Sequence, residues 1–139
     1  MKHIHVACAI IEIGGKVLCT QRSESMSLPL KWEFPGGKID EGESPEECLK
    51  RELNEELGIE AFVSQPHPTT THQYPSFSVT LYPFICEIIS GEITLHEHNA
   101  MIWLPIKELH TLDWAKADWP VIEEYQRQIA EITQTGIMK

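Results

Sequence analysis

The sequence has no apolar run approaching the ~20 residues that cross a bilayer as a helix, so no membrane partner is expected. It has no CxxC pair. Cys8, Cys19, Cys48 and Cys86 are scattered, which argues against a zinc knuckle or a dithiol redox motif. Two of them lie in strand-like apolar runs, where a free cysteine acts as a small hydrophobe suited to a reducing compartment. Basic residues are scarce: 11 Lys and Arg stand against 21 Asp and Glu, a formal net charge of −10. Binding of a nucleic-acid polymer through a basic patch is therefore disfavoured. Small polyanions stay open as substrates if a divalent cation lies between the two negative partners. The opening "MKHIHVACAII" lacks signal-peptide architecture, its apolar stretch being short with no small-residue cleavage site after it, and the expected address is the cytoplasm. Repeats, linkers and low-complexity segments are also missing.

What is present is an ordinary globular composition. With 139 residues, 42% hydrophobic and 23% charged, the chain suits one domain, residues 1–139, with a real core. Residues 6–13 read as a buried strand, 14–16 ("GGK") as a hairpin turn and 17–22 as the return strand. Residues 23–31, polar and holding Pro29, read as a loop. "KWEFPGGKIDEGES" reads as a short strand breaking into a Gly-rich loop. A helix follows: Ser44 suits the N-cap, Pro45 the first helical position, Glu47 completes a capping box, and Gly58 supplies the stop after Leu57. Leu49, Leu53 and Leu57 form its core stripe. Strand-like segments recur at 61–63, 77–87 and 100–104, then a helical turn in "PIKEL". A last helix starts near residues 118–120, and the final seven residues read as polar or frayed. The expected fold is α+β, a mixed sheet flanked by helices in an α/β/α sandwich.

One stretch breaks the usual rules. In "RELNEELG", Glu52, Glu55 and Glu56 fall at i, i+3 and i+4 of the helix, where like charges cost roughly 0.2–0.5 kcal/mol per pair. At about 100° per residue they flank the leucine stripe, at the edge of the core, where repulsion is stronger than in open solvent. Arg51, four before Glu55, is the local counter-charge. A solvated acidic surface and a divalent-cation site compete as explanations. Mg²⁺ favours a few carboxylates plus substrate phosphates, which suits three glutamates with an open side. Gly36 and Gly37 just before the helix allow close backbone approach, and Lys38 could meet a phosphate.

From Gly37 to Ile59 the residues G-KIDEG-E-SPEECLK-RE-L-N-EE-L-G-I resemble a complete Nudix box, with Gly37, Glu43, Arg51, Glu52, Leu53, Glu55, Glu56, Gly58 and Ile59 at its fixed positions. "WEFPGGK" and the glutamate of "LHEH" are further similar to the MutT-like branch of nucleoside triphosphate pyrophosphohydrolases, those acting on CTP among them. The resemblance implies a Mg²⁺- or Mn²⁺-dependent enzyme that attacks the β-phosphorus and releases a nucleoside monophosphate and pyrophosphate. It implies metal ligation by Glu52, Glu55, Glu56 and the Gly36 carbonyl, a supporting role for Glu43, and an Arg51 that holds a catalytic glutamate. Glu97 matches a distant metal ligand or general base, though a solvated loop residue reads the same. His96 and His98 beside it suggest zinc only weakly, since no third partner is spaced for it. Arg22 matches a position near substrate phosphates, or is a surface arginine at a strand end. Phe34 and Trp32 either line the nucleotide site or belong to the core. Asp118 matches a base-reading position, yet an N-cap would also account for it. An ionised Asp118 suits the exocyclic amine of cytosine, whereas a protonated one brings oxidised purines back. The partner expected is a nucleoside triphosphate, met by a monomer or homodimer. Hydrolysis of sugar nucleotides or dinucleotide polyphosphates, and a non-catalytic nucleotide-binding domain, are the alternatives.

Overall fold

The computed structural model describes residues 2–135. Strand β1 (Lys2–Ile13) runs through the middle of a mixed eight-stranded sheet. Its alternation divides the core in two. Cys8 and Ile10 face one way, onto Trp114, Val121, Ile122 and Tyr125. Ala7, Ala9 and Ile11 face the other way, onto Cys48, Leu49, Leu53 and Leu57. Period-2 side-chain direction in one strand thus dictates a helix on each face. All four cysteines are buried free thiols within these two layers.

β1 pairs in parallel with β7 (Phe77–Ser90) from Lys2↔Phe77 to Ile11↔Cys86. It meets β2 (Lys16–Gln21) antiparallel only at Glu12 and Ile13, beside the Gly14–Gly15 turn. Where β1 and β2 part, β4 (Gly36–Lys38) pairs antiparallel with residues Val6 to Cys8 of β1. β3 (Trp32–Glu33) and β8 (Ala100–Pro105) pair with β2, and β5 (Glu60–Pro66) and β6 (Thr70–Gln73) pair with β7. The expected Gly-rich loop is therefore partly a strand: the pairing edge of β1 overrides the weak strand preference of Gly36 and Gly37. β6 went unread in the sequence, and β1 begins four residues before the expected position because its Lys-His-Ile-His start, exposed except at Ile4, carries little apolar signal.

Helix α1 (Pro45–Leu57) has the expected ends. The Ser44 hydroxyl accepts from the Glu47 amide, the Glu47 carboxylate accepts from the Ser44 amide, and Gly58 takes the left-handed conformation at φ 71°. Leu49, Leu53 and Leu57 are fully buried, each contributing roughly 1.5–3 kcal/mol. That burial fixes the rotation of α1, and so which way its glutamates point. Helix α2 (Trp119–Thr135) covers the other face, after 3₁₀ turns at Ile106–Thr111 and Lys116–Asp118. The frayed ending expected for the last seven residues is helical as far as Thr135; the rest of it lies outside the described residues. Among those described, no helix is long and apolar enough to cross a membrane.

Candidate active site

The three glutamates of α1 differ sharply in surroundings. Glu55 is exposed and Glu52 half-buried, while Glu56 is buried at 7% exposure. Arg51 serves the first two, donating from one Nη to Glu52 Oε1 at 2.9 Å and Glu55 Oε2 at 3.2 Å. Its Nε and other Nη form a fork on Glu43 at 2.8 and 2.9 Å, and Asp40 lies 3.3 Å away. That fork holds the Glu43 carboxyl down at about 2. Glu43 in turn accepts the Asp40 amide, closing the 39–43 loop onto the helix.

Glu56 has no such cation. Its Oε1 is buried without a hydrogen-bond partner. Burial, proton sharing with Glu52, and the charges of Glu52, Glu97 and Glu33 push its carboxyl far above the usual range. A buried carboxyl with one oxygen orphaned and acids around it is costly unless a proton or a cation joins it. Hard carboxylate oxygens on one rigid face fit Mg²⁺ or Mn²⁺. Among the described residues no three His, Cys, Asp or Glu side chains already converge into a cage; Arg51 occupies the carboxylates that would have to turn.

The glycines bring backbone to the same place. A Cβ on Gly37 would sit 2.3 Å from the Glu52 carboxyl carbon, and one on Gly36 would sit 2.0 Å from the Ala7 carbonyl oxygen. Only glycine lets β4 lie between β1 and the acidic helix face. The structure therefore brings Gly37, Glu52 and Glu56 together, with Gly36 next in the chain packed on β1 and Glu97 exposed yet close enough for its charge to reach Glu56.

Beside this acidic face is a cavity of about 160 Å³, with apolar walls that include Ile4, Leu28, Tyr74 and Leu81. Arg22, Glu33, Lys38 and Asp118 also line it. Asp118, just before α2, reaches across the core, where its Oδ2 accepts the Phe34 amide at 3.0 Å. Burial, then the charge of Glu33, raises its carboxyl well above the ordinary value. Arg22 spends its donors locally, on the Ser27 carbonyl and hydroxyl and on Glu33. The Phe34 ring is not at the cavity wall; it is buried against Trp114, centroids 4.9 Å apart. Trp32 packs on the same cluster. His96 is exposed, whereas His98 is buried with Nε2 3.0 Å from Glu33 Oε2.

Sequence reasoning passed over Glu33, and met His98 only as a weak zinc candidate. The one available signal was an acid between two aromatics in "WEF", where a buried charge needs a partner. Its partners are 11 residues before it and 65 after it, a pairing no local pattern shows.

A family profile described as the NUDIX domain matches residues 1–125. The chain is 37% identical over 125 residues to a CTP pyrophosphohydrolase of Escherichia coli K12, covering 90% of this chain and 93% of that one. It is 32% identical over 128 residues to the 8-oxo-dGTP diphosphatase of the same organism, covering 91% and 99%. The solution structure of the E. coli ORF135 protein superposes with a TM-score of 0.81 at 35% identity, covering 94% of each chain.

Proposed function

The chain belongs to the Nudix hydrolase family, whose members cleave phosphorus-containing anhydrides and generally use divalent metals, and from that premise we propose that it is a Mg²⁺-dependent nucleoside triphosphate pyrophosphohydrolase. It acts as one domain, releases a nucleoside monophosphate and pyrophosphate, and takes CTP, dCTP or oxidised nucleotides, in the manner of nucleotide-pool sanitation. The observation that carries the reading is Glu56: a buried, unpartnered carboxyl oxygen among Glu52, Glu97 and Glu33, the last of which lines a cavity together with Asp118. Glu52, Glu55, Glu56, the Gly36 carbonyl and Glu97 would hold the cation. Bound there, it supplies neutralisation of phosphate oxygens and acidifies water at the site. Arg51 sets the directions of Glu52 and Glu55, and Glu43 anchors Arg51. Lys38, exposed at the cavity edge, meets a phosphate.

Asp118 reads the base as a neutral acid. Its Oδ2 takes the Phe34 amide, so the proton belongs on Oδ1. A donor beside an acceptor matches the N3 and exocyclic amine edge of cytosine. It matches oxidised guanine equally, where N7 carries hydrogen beside O6. Burial thus removes the argument that Asp118 must be an acceptor only, and keeps both substrates in view. Asp118→Asn, which preserves one donor and one acceptor, is expected to hold kcat/KM for the best nucleotide within about 3-fold, and Asp118→Ala to lose about 10- to 100-fold. Steady-state kinetics on CTP and 8-oxo-dGTP checks this; an unchanged kcat/KM on both in the alanine variant contradicts it.

The assignment as a whole is tested by a nucleotide panel with Mg²⁺, assayed for both products. Equal amounts of pyrophosphate and monophosphate are expected. Orthophosphate release, or no turnover of any triphosphate, overturns the reading.

A further inference from the structure

Residues 91–99 join β7 to β8 without regular secondary structure, yet they are stitched down at both ends. Toward α1, the Thr94 amide donates to the Leu57 carbonyl at 2.9 Å and the His96 amide to the Glu56 carbonyl at 3.1 Å. Toward β2, Asn99 bonds Gln21 twice, amide to carbonyl at 2.9 Å and side chain to side chain at 2.7 Å. Between them lies Glu97. Next to Glu97, the His98 side chain is 1% exposed, and its Nε2 meets Glu33 Oε2 at 3.0 Å. The other Glu33 oxygen takes Arg22 Nη1 at 2.7 Å, and Arg22 grips Ser27 at the cavity wall. A carboxylate only accepts, so the Nε2 proton is given to Glu33. His98 Nδ1 is then buried without a partner, which leaves the ring one hydrogen bond and one orientation.

From this chain we infer that His98 is a positioning residue: it ties the Glu97-bearing segment to Glu33 and Arg22, holding the cavity and the acidic helix face in one register. The inference rests on the proposed pyrophosphohydrolase reading for its consequence, since Glu97 matters only if the acidic face does chemistry. Its physical content is independent of that reading. A histidine that merely fills space would tolerate any side chain of its size, whereas an anchor needs the hydrogen bond. Glutamine can present an amide donor near the position of Nε2; leucine cannot.

The test uses the full chain carrying His98→Leu or His98→Gln, with two readouts. In hydrogen exchange without nucleotide, the His96 and Asn99 amides are expected to exchange about 10-fold faster or more in His98→Leu, and within about 3-fold of wild type in His98→Gln, while α1 amides are unchanged. In kinetics on the triphosphate that wild type turns over best, His98→Leu is expected to lose about 10-fold in kcat with KM within about 3-fold, and His98→Gln to recover it. Unchanged exchange in His98→Leu overturns the inference, as does a glutamine variant as loosened as the leucine one. If His98→Leu does not fold, the glutamine variant decides alone: wild-type protection at His96 and Asn99 supports the anchor, and loss of it refutes it. A wild-type protein without hydrolytic activity would end the pyrophosphohydrolase reading, and the exchange result would still decide the role of His98.

Discussion

Glu56→Gln is expected to slow triphosphate hydrolysis at least ~100-fold while making the metal-free protein harder to melt. The two effects have one cause. The Glu56 carboxyl is buried beside Glu52 and within reach of Glu97 and Glu33, and its affinity for a proton is raised by that burial and those charges. The unfolded chain has no such burden and ionises near the ordinary 4.5. An acid whose folded value is raised contributes its stability below the unfolded value and loses it as pH climbs toward the folded one. Metal-free wild type should therefore weaken relative to Glu56→Gln from about pH 5 upward through neutrality. Each unit of the raised value is worth about 1.4 kcal/mol, so a gap of at least ~1 kcal/mol, a few degrees in Tm, should open by pH 8. Glu55→Gln separates the causes. Glu55 is exposed and paired with Arg51, so its glutamine variant should share the ~100-fold rate loss and show none of the pH-dependent stabilisation. Thermal melts from pH 5 to 8 in chelator, beside rate assays in Mg²⁺, check both. Near-wild-type turnover in either variant contradicts the catalytic assignment and favours a nucleotide-binding domain.

Alanine at the two adjacent glycines should fail in opposite ways. At Gly36 the new Cβ would meet the Ala7 carbonyl oxygen at 2.0 Å and Cys8 Cα at 2.7 Å. Both are backbone of the central strand, and neither can give way without parting β4 from β1. Gly36→Ala should lose about 3 kcal/mol or more, seen as a Tm drop of about 10 °C. At Gly37 the obstacle is the end of the Glu52 side chain, 2.3 Å from the new Cβ. That carboxylate can swing aside, so Gly37→Ala should melt within a few degrees of wild type. The displaced Glu52, however, leaves Arg51 and the acidic face out of register, and misplacement of about 1 Å can cost on the order of 100-fold in rate. A stable, fully active Gly37→Ala would show that the position of Glu52 is not critical.

How much of this the sequence reveals depends on the reach of each interaction. Helix α1 is legible from end to end because its determinants are local: the Ser44–Glu47 box, Pro45, the four-residue leucine spacing and Gly58. The acidic face is legible for the same reason, since 52, 55 and 56 lie within one turn and their repulsion is a local anomaly. Strand β4 is not, because glycines make strand only where a pairing edge, here residues Val6 to Cys8, supplies the order. Phe34 illustrates another limit. An aromatic beside a box serves either core or ligand, and three-dimensional packing sends its ring to Trp114 and its amide to Asp118. Asp118, read as cap or base reader, has its carboxyl raised first by burial and then by Glu33, distant in the chain and close in space. Likewise the Arg22–Glu33–His98 chain joins residues from three separate segments, so its members look like an ordinary surface arginine, strand acid and loop histidine until the sheet assembles them.

The most direct test of the central claim is a calorimetric titration of Mg²⁺ into wild type and Glu56→Gln, each with a non-hydrolysable triphosphate bound, repeated in buffers of different ionisation enthalpy. Wild type should take up the cation and release protons, and the glutamine variant should bind it far more weakly with less proton release. If wild type takes up no divalent cation even with the nucleotide present, the crowded glutamates are not a metal site, and the hydrolytic account of this chain fails with them.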